Sequence, residues 1–321
     1  MPFLIRRLLA LALTCLAAGA SAQNWPSQPL RWIVPYPAGG GSDVVARAVA
    51  AGLEKPLGQP IVVENRPGAA TIIGATAVAQ ATPNGYMIGT ADSGTLAYNP
   101  SLYAQLSYDP QRFTYIGGLA QLPLLLAVNA QSPFKSVADV IAAARREPGK
   151  LTAASAGAGS PHHLALELFK QRANVNVLHV PYKGAAPAIQ DLLGGQVDMM
   201  FIDLAAGLPN VKAGKLRVLA TATPQRLAIL PDAPTMAEQG VSDFTAYAWQ
   251  GVVGPPGLPA AVVRKLGDDL ARTLALPAVA DKLHDMGVMP MPMSGAEFRV
   301  YADRERTRWA EVIRKAGIRL E

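Results

Sequence analysis

The sequence predicts an α/β fold of two similar lobes, each a mostly parallel sheet flanked by helices. From Leu30 onward, short apolar runs alternate with amphipathic stretches, the order that a parallel sheet with crossover helices requires. Two stretches also echo each other. Gly39-Gly40-Gly41-Ser42 is followed by a helical stretch, a strand and then Asn65-Arg66-Pro67-Gly68-Ala69; Gly157-Ala158-Gly159-Ser160 is followed by a helical stretch, a strand and then Pro181-Tyr182-Lys183-Gly184-Ala185. Two βαβ units alike by chance would look the same. The sharper reading is two equivalent lobes, each presenting two glycine-rich helix N-termini at the carboxyl ends of its strands, where open α/β sheets bind ligands.

The elements follow in order. Leu30 to Val34 reads as a strand and Pro35 to Gly41 as a loop, with Ser42 as N-cap of a helix carrying Val44, Val45, Ala48, Val49 and Leu53 at helical spacing. Pro60 to Glu64 is the next strand. Ala69 to Ala81 is a small-residue helix stopped by Thr82-Pro83-Asn84-Gly85, and Met87 to Thr90 is a strand. Ser136 with Asp139 predicts a capped helix to Arg146. Strands at Leu151–Ser155, Val177–Pro181, Val197–Ile202 and Leu216–Thr221 alternate with helices at Pro161–Gln171 and Ala185–Leu193. Two apolar stretches, residues 120–128 and 244–254, are the expected crossings between lobes. Ser294 and Glu297 form a capping box for a long helix to Lys315.

Composition narrows the function classes. Half of the 321 residues are hydrophobic and 16% are charged, against about 25% charged in average usage, which excludes a disordered chain. Arg6 and Arg7 precede the apolar run Leu8 to Ala18 and then Gly19-Ala20-Ser21-Ala22. A basic start, a short apolar run and an A-x-A site predict a signal peptide over residues 1–22, too short to span a bilayer, which needs about 20 apolar residues. The only cysteine, Cys15, lies in that leader. The exported chain then has no thiol for disulfides, thiolate metal sites or cysteine nucleophiles. Its remaining 27 basic and 23 acidic residues are scattered, which argues against nucleic acid as a partner.

Four glycine- or serine-rich helix starts offer N–H groups and positive dipole ends to an anion, particularly a carboxylate, without a cationic side chain. Enzymatic readings are weaker. Gly39 to Ser42 lacks the Gly-Lys-Ser/Thr of a P-loop, and there is no GxSxG elbow. His162 and His163 are adjacent, and no second metal-ligand motif surrounds them, so no metal is expected. A Ser160–His162 dyad has no third member in view, and His179 and His284 read as isolated packing or surface residues. Asp43 and Asp203 could face each other across a cleft, although Asp43 at a helix start is the kind of acid the dipole favours.

Val34-Pro35-Tyr36-Pro37-Ala38-Gly39-Gly40-Gly41-Ser42-Asp43, Val63-Glu64-Asn65-Arg66-Pro67-Gly68-Ala69, Pro83-Asn84-Gly85-Tyr86, Val180-Pro181-Tyr182-Lys183-Gly184 and Lys212-Ala213-Gly214-Lys215-Leu216-Arg217 resemble the tripartite tricarboxylate transporter substrate-binding family, the Bug receptors. The resemblance implies a two-lobed periplasmic binding protein of type II, the Venus-flytrap kind, delivering its solute to two membrane subunits. It implies lobe 1 over residues 23–121 and 251–321 and lobe 2 over 122–250. The implied partners are a small organic carboxylate and the membrane subunits; the implied state is a monomer in the periplasm with no cofactor and no catalytic residue. By motif, the ligand-binding residues are Tyr36, Ala38, Gly39, Gly40, Gly41, Ser42, Asp43, Gly68 and Ala69, with Ser93 added from the Asp92-Ser93-Gly94 loop. Lobe 2 adds Ala156, Gly157, Ala158, Gly159, Ser160, Gly184 and Ala185, with Asp203 as a further candidate.

Two departures from the family pattern bear on the ligand. Ala70 and Thr71 stand where the family often has glycines, adding a methyl and a hydroxyl near the site. The family often places an acid directly after the Met-Phe of one strand; here Met200-Phe201 is followed by Ile202, and the acid is Asp203. Asp203 in the cleft would suit an amino acid or other amide-bearing solute, Ile202 a plain carboxylate. A sensing adaptor, and an exported enzyme using Ser160, His162 and Asp203, are the remaining alternatives.

Overall fold

The computed structural model describes residues 25–320; the expected signal peptide and Cys15 lie outside them. Two sets of parallel strands are built on one long strand. β1 (Leu30–Val34) pairs in parallel with β2 (Ile61–Asn65) and with β3 (Met87–Asp92). β5 (Thr152–Ser155) does the same with β6 (Leu178–Pro181) and β7 (Met199–Asp203). Between the sets runs β4 (Thr114–Asn129), 16 residues long, which pairs antiparallel with β9 (Tyr247–Gly254) along its first half. Along its second half it pairs antiparallel with β7 and with β8 (Leu216–Thr221). The strand order is β2-β1-β3-β9-β4-β7-β5-β6, with β8 and β10 (Met289–Pro290) also on β4. The parallel character therefore holds in the outer strands, and the crossing strands are antiparallel.

Alternation along the strands places the core. On β4, Leu124, Leu126 and Val128 face one apolar cluster while Leu125 and Ala127 face another. On β7, Met199 and Phe201 join the first and Met200 and Ile202 the second. Both faces are covered, as expected for strands without a solvated side. The parallel units return through α1 (Gly41–Leu57), α2 (Ile72–Ala79), α4 (Pro161–Ala173) and α5 (Ala185–Leu193), with α3 (Val137–Arg146) preceding β5 and α6 (Leu204–Lys212) following β7. The chain ends in α7 (Ala260–Leu274), α8 (Pro277–Asp285) and α9 (Gly295–Ala316). α9 packs on β4 and also reaches α4, where Gln171 Nε2 donates to the Val312 carbonyl at 2.9 Å.

Both predicted capping boxes form, Ser136 with Asp139 and Ser294 with Glu297. Two expected helix starts do not. Gly40, not Ser42, is the N-cap of α1, and Ser42 Oγ instead donates to Gln250 Oε1 on β9 at 2.6 Å. The second helix begins at Ile72 rather than Ala69, because Ala69, Ala70 and Thr71 all hold positive φ (45°, 47° and 77°). That backbone conformation favours glycine and cannot continue a right-handed helix.

Candidate functional site

The carboxyl ends of the two parallel sets face each other across a cleft of about 350 Å³. One wall is Tyr36, Ala70, Thr71, Gly94, Asn99 and Tyr103. The other is Ala156–Pro161, and Leu320 from the chain end closes one side. None of these residues carries a charged side chain. A concavity of comparable size, about 360 Å³, between Gln80, Tyr108 and Pro256 holds none of the predicted residues.

The first wall rests on a buried polar network. Tyr36 donates its hydroxyl proton to Asp92 Oδ2. Burial, and then the Asp92 charge, push the Tyr36 hydroxyl well above its ordinary pKa, so it stays protonated as a donor. Asp92 Oδ1 accepts from Thr95 N–H at 2.9 Å and Thr95 Oγ1 at 2.8 Å. Thr95 Oγ1 lies 2.9 Å from Thr71 Oγ1. Asn99 Nδ2 donates to the Ala70 carbonyl at 2.8 Å. These bonds hold the positive-φ turn at residues 69–71 against the cleft; such strain persists only where the surroundings over-determine it.

The second wall is the β5–α4 loop. Ser160 is the N-cap of α4, its Oγ accepting from the His163 N–H at 3.3 Å. The N–H groups of Gly157, Gly159 and Ser160 are engaged below the loop, by Ser155 Oγ, His163 Nδ1 and the Gly157 carbonyl. The Ala158 N–H and the Ser160 hydroxyl proton have no partner among the described residues. With the positive end of the α4 dipole behind them, they are donors for an anion.

Of the predicted ligand residues, the structure brings Tyr36, Ala156, Gly157, Ala158, Gly159 and Ser160 together on the cleft. Ala38, Gly39 and Gly40 form an exposed loop ahead of α1 and Gly41 is its exposed first residue, with Ser42 turned to Gln250. Gly68 and Ala69 are exposed beside the wall, and Gly184 and Ala185 are half-buried at the start of α5. Ser93 is fully buried, at the head of a π-helical turn over Gly94–Tyr98. Asp43 and Asp203 do not face each other. Asp43 accepts from Gly39 N–H, Arg47 and Asn65 Nδ2. Burial raises its carboxyl, but Arg47, Gly39 and Asn65 outweigh that and hold it below the usual range.

Asp203 caps α6 through the Ala206 N–H at 2.8 Å and meets His162 Nε2 at 3.2 Å. Burial pushes it up, and the His162 bond and the Ala206 N–H bring it below the carboxylate norm. Ile202 is fully buried against Gly207. Neither member of the Ile202/Asp203 pair is on the cleft wall. The Ser160–His162 dyad is also absent, since the serine caps its helix and the imidazole pairs with Asp203. His179 is not isolated: its ring stacks on His163.

The sequence reading missed Gly94, Asn99, Tyr103, Pro161 and Leu320. Asn99 could have been found as the polar residue following a Gly-containing loop after a strand end. Leu320 carries no local signal, because only the path of α9 brings it to Leu102, whose carbonyl accepts the Leu320 N–H at 2.8 Å. Among the described residues no group of three or more His, Asp and Glu is placed to hold a metal ion. No described helix is long and apolar enough to cross a membrane.

Two opposed sets of strands, joined by antiparallel crossing strands and enclosing a neutral, donor-lined cleft, define the class of periplasmic binding proteins, mixed α/β with flanking helices. Within that class the chain belongs to the tripartite tricarboxylate transporter family of receptors (TctC), whose profile matches residues 45–318. Among solved structures it is similar to Rhodopseudomonas palustris Rpa4515 with adipate, at 36% identity and a TM-score of 0.87, covering 92% of this chain and 99% of that one. It is similar to the periplasmic binding protein BugD at 33% and 0.84, covering 92% and 100%. It is similar to MatC of Rhodopseudomonas palustris with bound malate at 32% and 0.83, covering 90% and 100%.

Proposed function

We propose that the chain is a periplasmic receptor that captures a small organic carboxylate in this cleft and delivers it to the two membrane subunits of a tripartite transporter. The observation that carries the reading is the wall itself: neutral donors and a helix N-terminus, with no charged side chain, which suits a carboxylate held by oriented dipoles. The adipate and malate in the similar structures support the same class of solute. In this reading residues 1–22 are removed after Ala22 on export. Residues 23–121 and 251–321 form one lobe and 122–250 the other, and the chain works as a monomer without cofactor or catalysis. Tyr36, Ala158 and Ser160 contact the solute, and residues 38–43, Gly68, Ala69, Gly184 and Ala185 frame it. Calorimetric titration of the purified protein with adipate and with malate tests the reading. Saturable binding of a carboxylate at one site per chain is expected; no heat from either, nor from a wider set of mono-, di- and tricarboxylates, would overturn it.

A further inference from the structure

Beneath the Ala156–Ser160 loop lie two imidazoles, one buried and one half-buried. His163 on α4 and His179 on β6 stack with ring centroids 3.7 Å apart and planes inclined by 6°. Gly159 N–H donates to His163 Nδ1 at 3.1 Å. Gly157 N–H donates to Ser155 Oγ at 3.1 Å, and that oxygen lies 2.6 Å from His179 Nε2. Gly157 and Gly159 are also the loop's two positive-φ residues, at 138° and 76°. Each is tied to one ring of the stack, Gly159 directly and Gly157 through a serine.

We propose that His163 is the positioning residue of the ligand loop: its unprotonated Nδ1 fixes the Gly159 peptide, and protonation of that nitrogen frees the loop and weakens its hold on a carboxylate. The proposal rests on the carboxylate-receptor reading above. An imidazole nitrogen accepts a hydrogen bond only while it keeps its lone pair. A proton on Nδ1 would set two donors against each other across 3.1 Å, and with His163 only 5% exposed the lost bond is costly to leave unmade.

The surroundings choose the tautomer. His163 Nε2 lies 3.6 Å from Glu167 Oε1, one helical turn on, and Lys170 Nζ lies 2.7 Å from the same oxygen. Burial raises the Glu167 carboxyl, but His163 and Lys170 outweigh it, so a carboxylate faces Nε2 and favours the proton there. From β6 the facing group is His179, whose stacked ring opposes a second positive charge. From β5 it is the Ser155 hydroxyl. α9, on another side of α4, meets it through Val312, whose backbone carbonyl accepts from Gln171.

The test compares the unaltered protein with His163→Asn, whose amide oxygen can accept at the place of Nδ1 but does not titrate, and with His163→Leu, which cannot accept. Adipate and malate are titrated calorimetrically between about pH 8 and about pH 5.5, the span in which imidazoles change charge. Affinity of the unaltered protein should fall at least tenfold more across that span than affinity of His163→Asn. His163→Leu should bind weakly throughout. Equal pH dependence in the unaltered protein and His163→Asn overturns the proposal. Hydrogen exchange of the Gly159 amide needs no ligand: protection at pH 8 that is lost on acidification is expected, and an unprotected amide at pH 8 overturns the proposal even where neither carboxylate binds. Failure of both carboxylates alongside a protected Gly159 counts against the solute class alone.

Discussion

Asp203 Oδ2 accepts a hydrogen bond from His162 Nε2 at 3.2 Å, and Asp203 Oδ1 accepts the Ala206 N–H at 2.8 Å. Both oxygens of the acid nearest the expected ammonium position are thus engaged inside their own half of the molecule. An α-ammonium enclosed in the cleft would lack a carboxylate to face it, and an unpaired buried charge is very costly. Succinate should therefore bind at least tenfold more tightly than aspartate in matched calorimetric titrations at neutral pH. Tighter binding of aspartate, lost in Asp203→Asn, would make Asp203 the ammonium partner after all.

Gly159→Val should abolish binding while Arg66→Ala changes it less than about threefold. Gly159 has φ of 76°, and a Cβ there would stand 2.8 Å from Leu102 Cδ1 and 3.0 Å from Leu320 Cδ1. A branched residue at such a position costs about 1–3 kcal/mol of strain and displaces the loop. Arg66 sits outside the cleft wall in a half-exposed pair, 3.4 Å from Glu64 Oε2, and pairs open to solvent contribute about 0–1 kcal/mol. A dissociation constant raised a hundredfold by Arg66→Ala, with Tm unchanged, would reveal a guanidinium clamp instead.

Ala70→Gly should stabilise the protein. An L-residue in the left-handed region costs about 1–2 kcal/mol, and glycine's greater freedom in the unfolded chain returns roughly 0.5–1 kcal/mol of that. A net gain of about 0.5–1 kcal/mol should appear as a higher midpoint in urea unfolding. Thr71→Gly should not gain, because it removes the hydroxyl paired with Thr95 Oγ1.

Stability should decline in acid through His179. Burial, and then the charge of His163, lower its pKa to about 4, below the roughly 6.5 of a free imidazole. Between those values the unfolded chain binds the proton and the folded one does not. The stabilisation is therefore complete above about pH 6.5 and is lost as the pH falls through about 4. Thermal unfolding in that window should show a steeper fall in Tm for the unaltered protein than for His179→Gln; parallel profiles would sever the link.

Much of the fold was legible because its signals are local. Short apolar runs, helical spacing and capping boxes such as Ser136/Asp139 mark elements without reference to distant residues. The repeated glycine-rich loops likewise placed the β5–α4 wall. What was not legible depends on long-range contacts. Ser42 looked like an N-cap because nothing in its neighbourhood announces Gln250, 208 positions away. Residues 69–71 looked helical because their positive φ is imposed by Asn99 and Thr95 from another segment. His163 and His179 looked unrelated for the same reason: a parallel β5–β6 pair and α4 above it bring the rings together.

The residues lining the cleft are divided between two walls, Tyr36, Thr71, Asn99 and Tyr103 on one side and Ala156–Pro161 on the other, so neither wall alone encloses a solute. A solute then binds the state with the walls close more tightly than the state with them apart, and shifts the population toward it. The strands that connect the two halves can accommodate a small rotation: β4 changes register against β9 between Tyr115 and Gly117 and between Gly118 and Ala120, and against β8 between Leu126 and Ala127. Such bulges bend a strand without breaking the ladder on either side. Small-angle scattering of the protein saturated with a binding carboxylate should give a smaller radius of gyration than the free protein. Exchange of amides along β4 should stay slow in both states, since it is the wall-to-wall distance that changes and not the crossing strands themselves. An unchanged radius together with unchanged exchange in the Ala156–Ser160 loop would mean a rigid cleft that binds without closing.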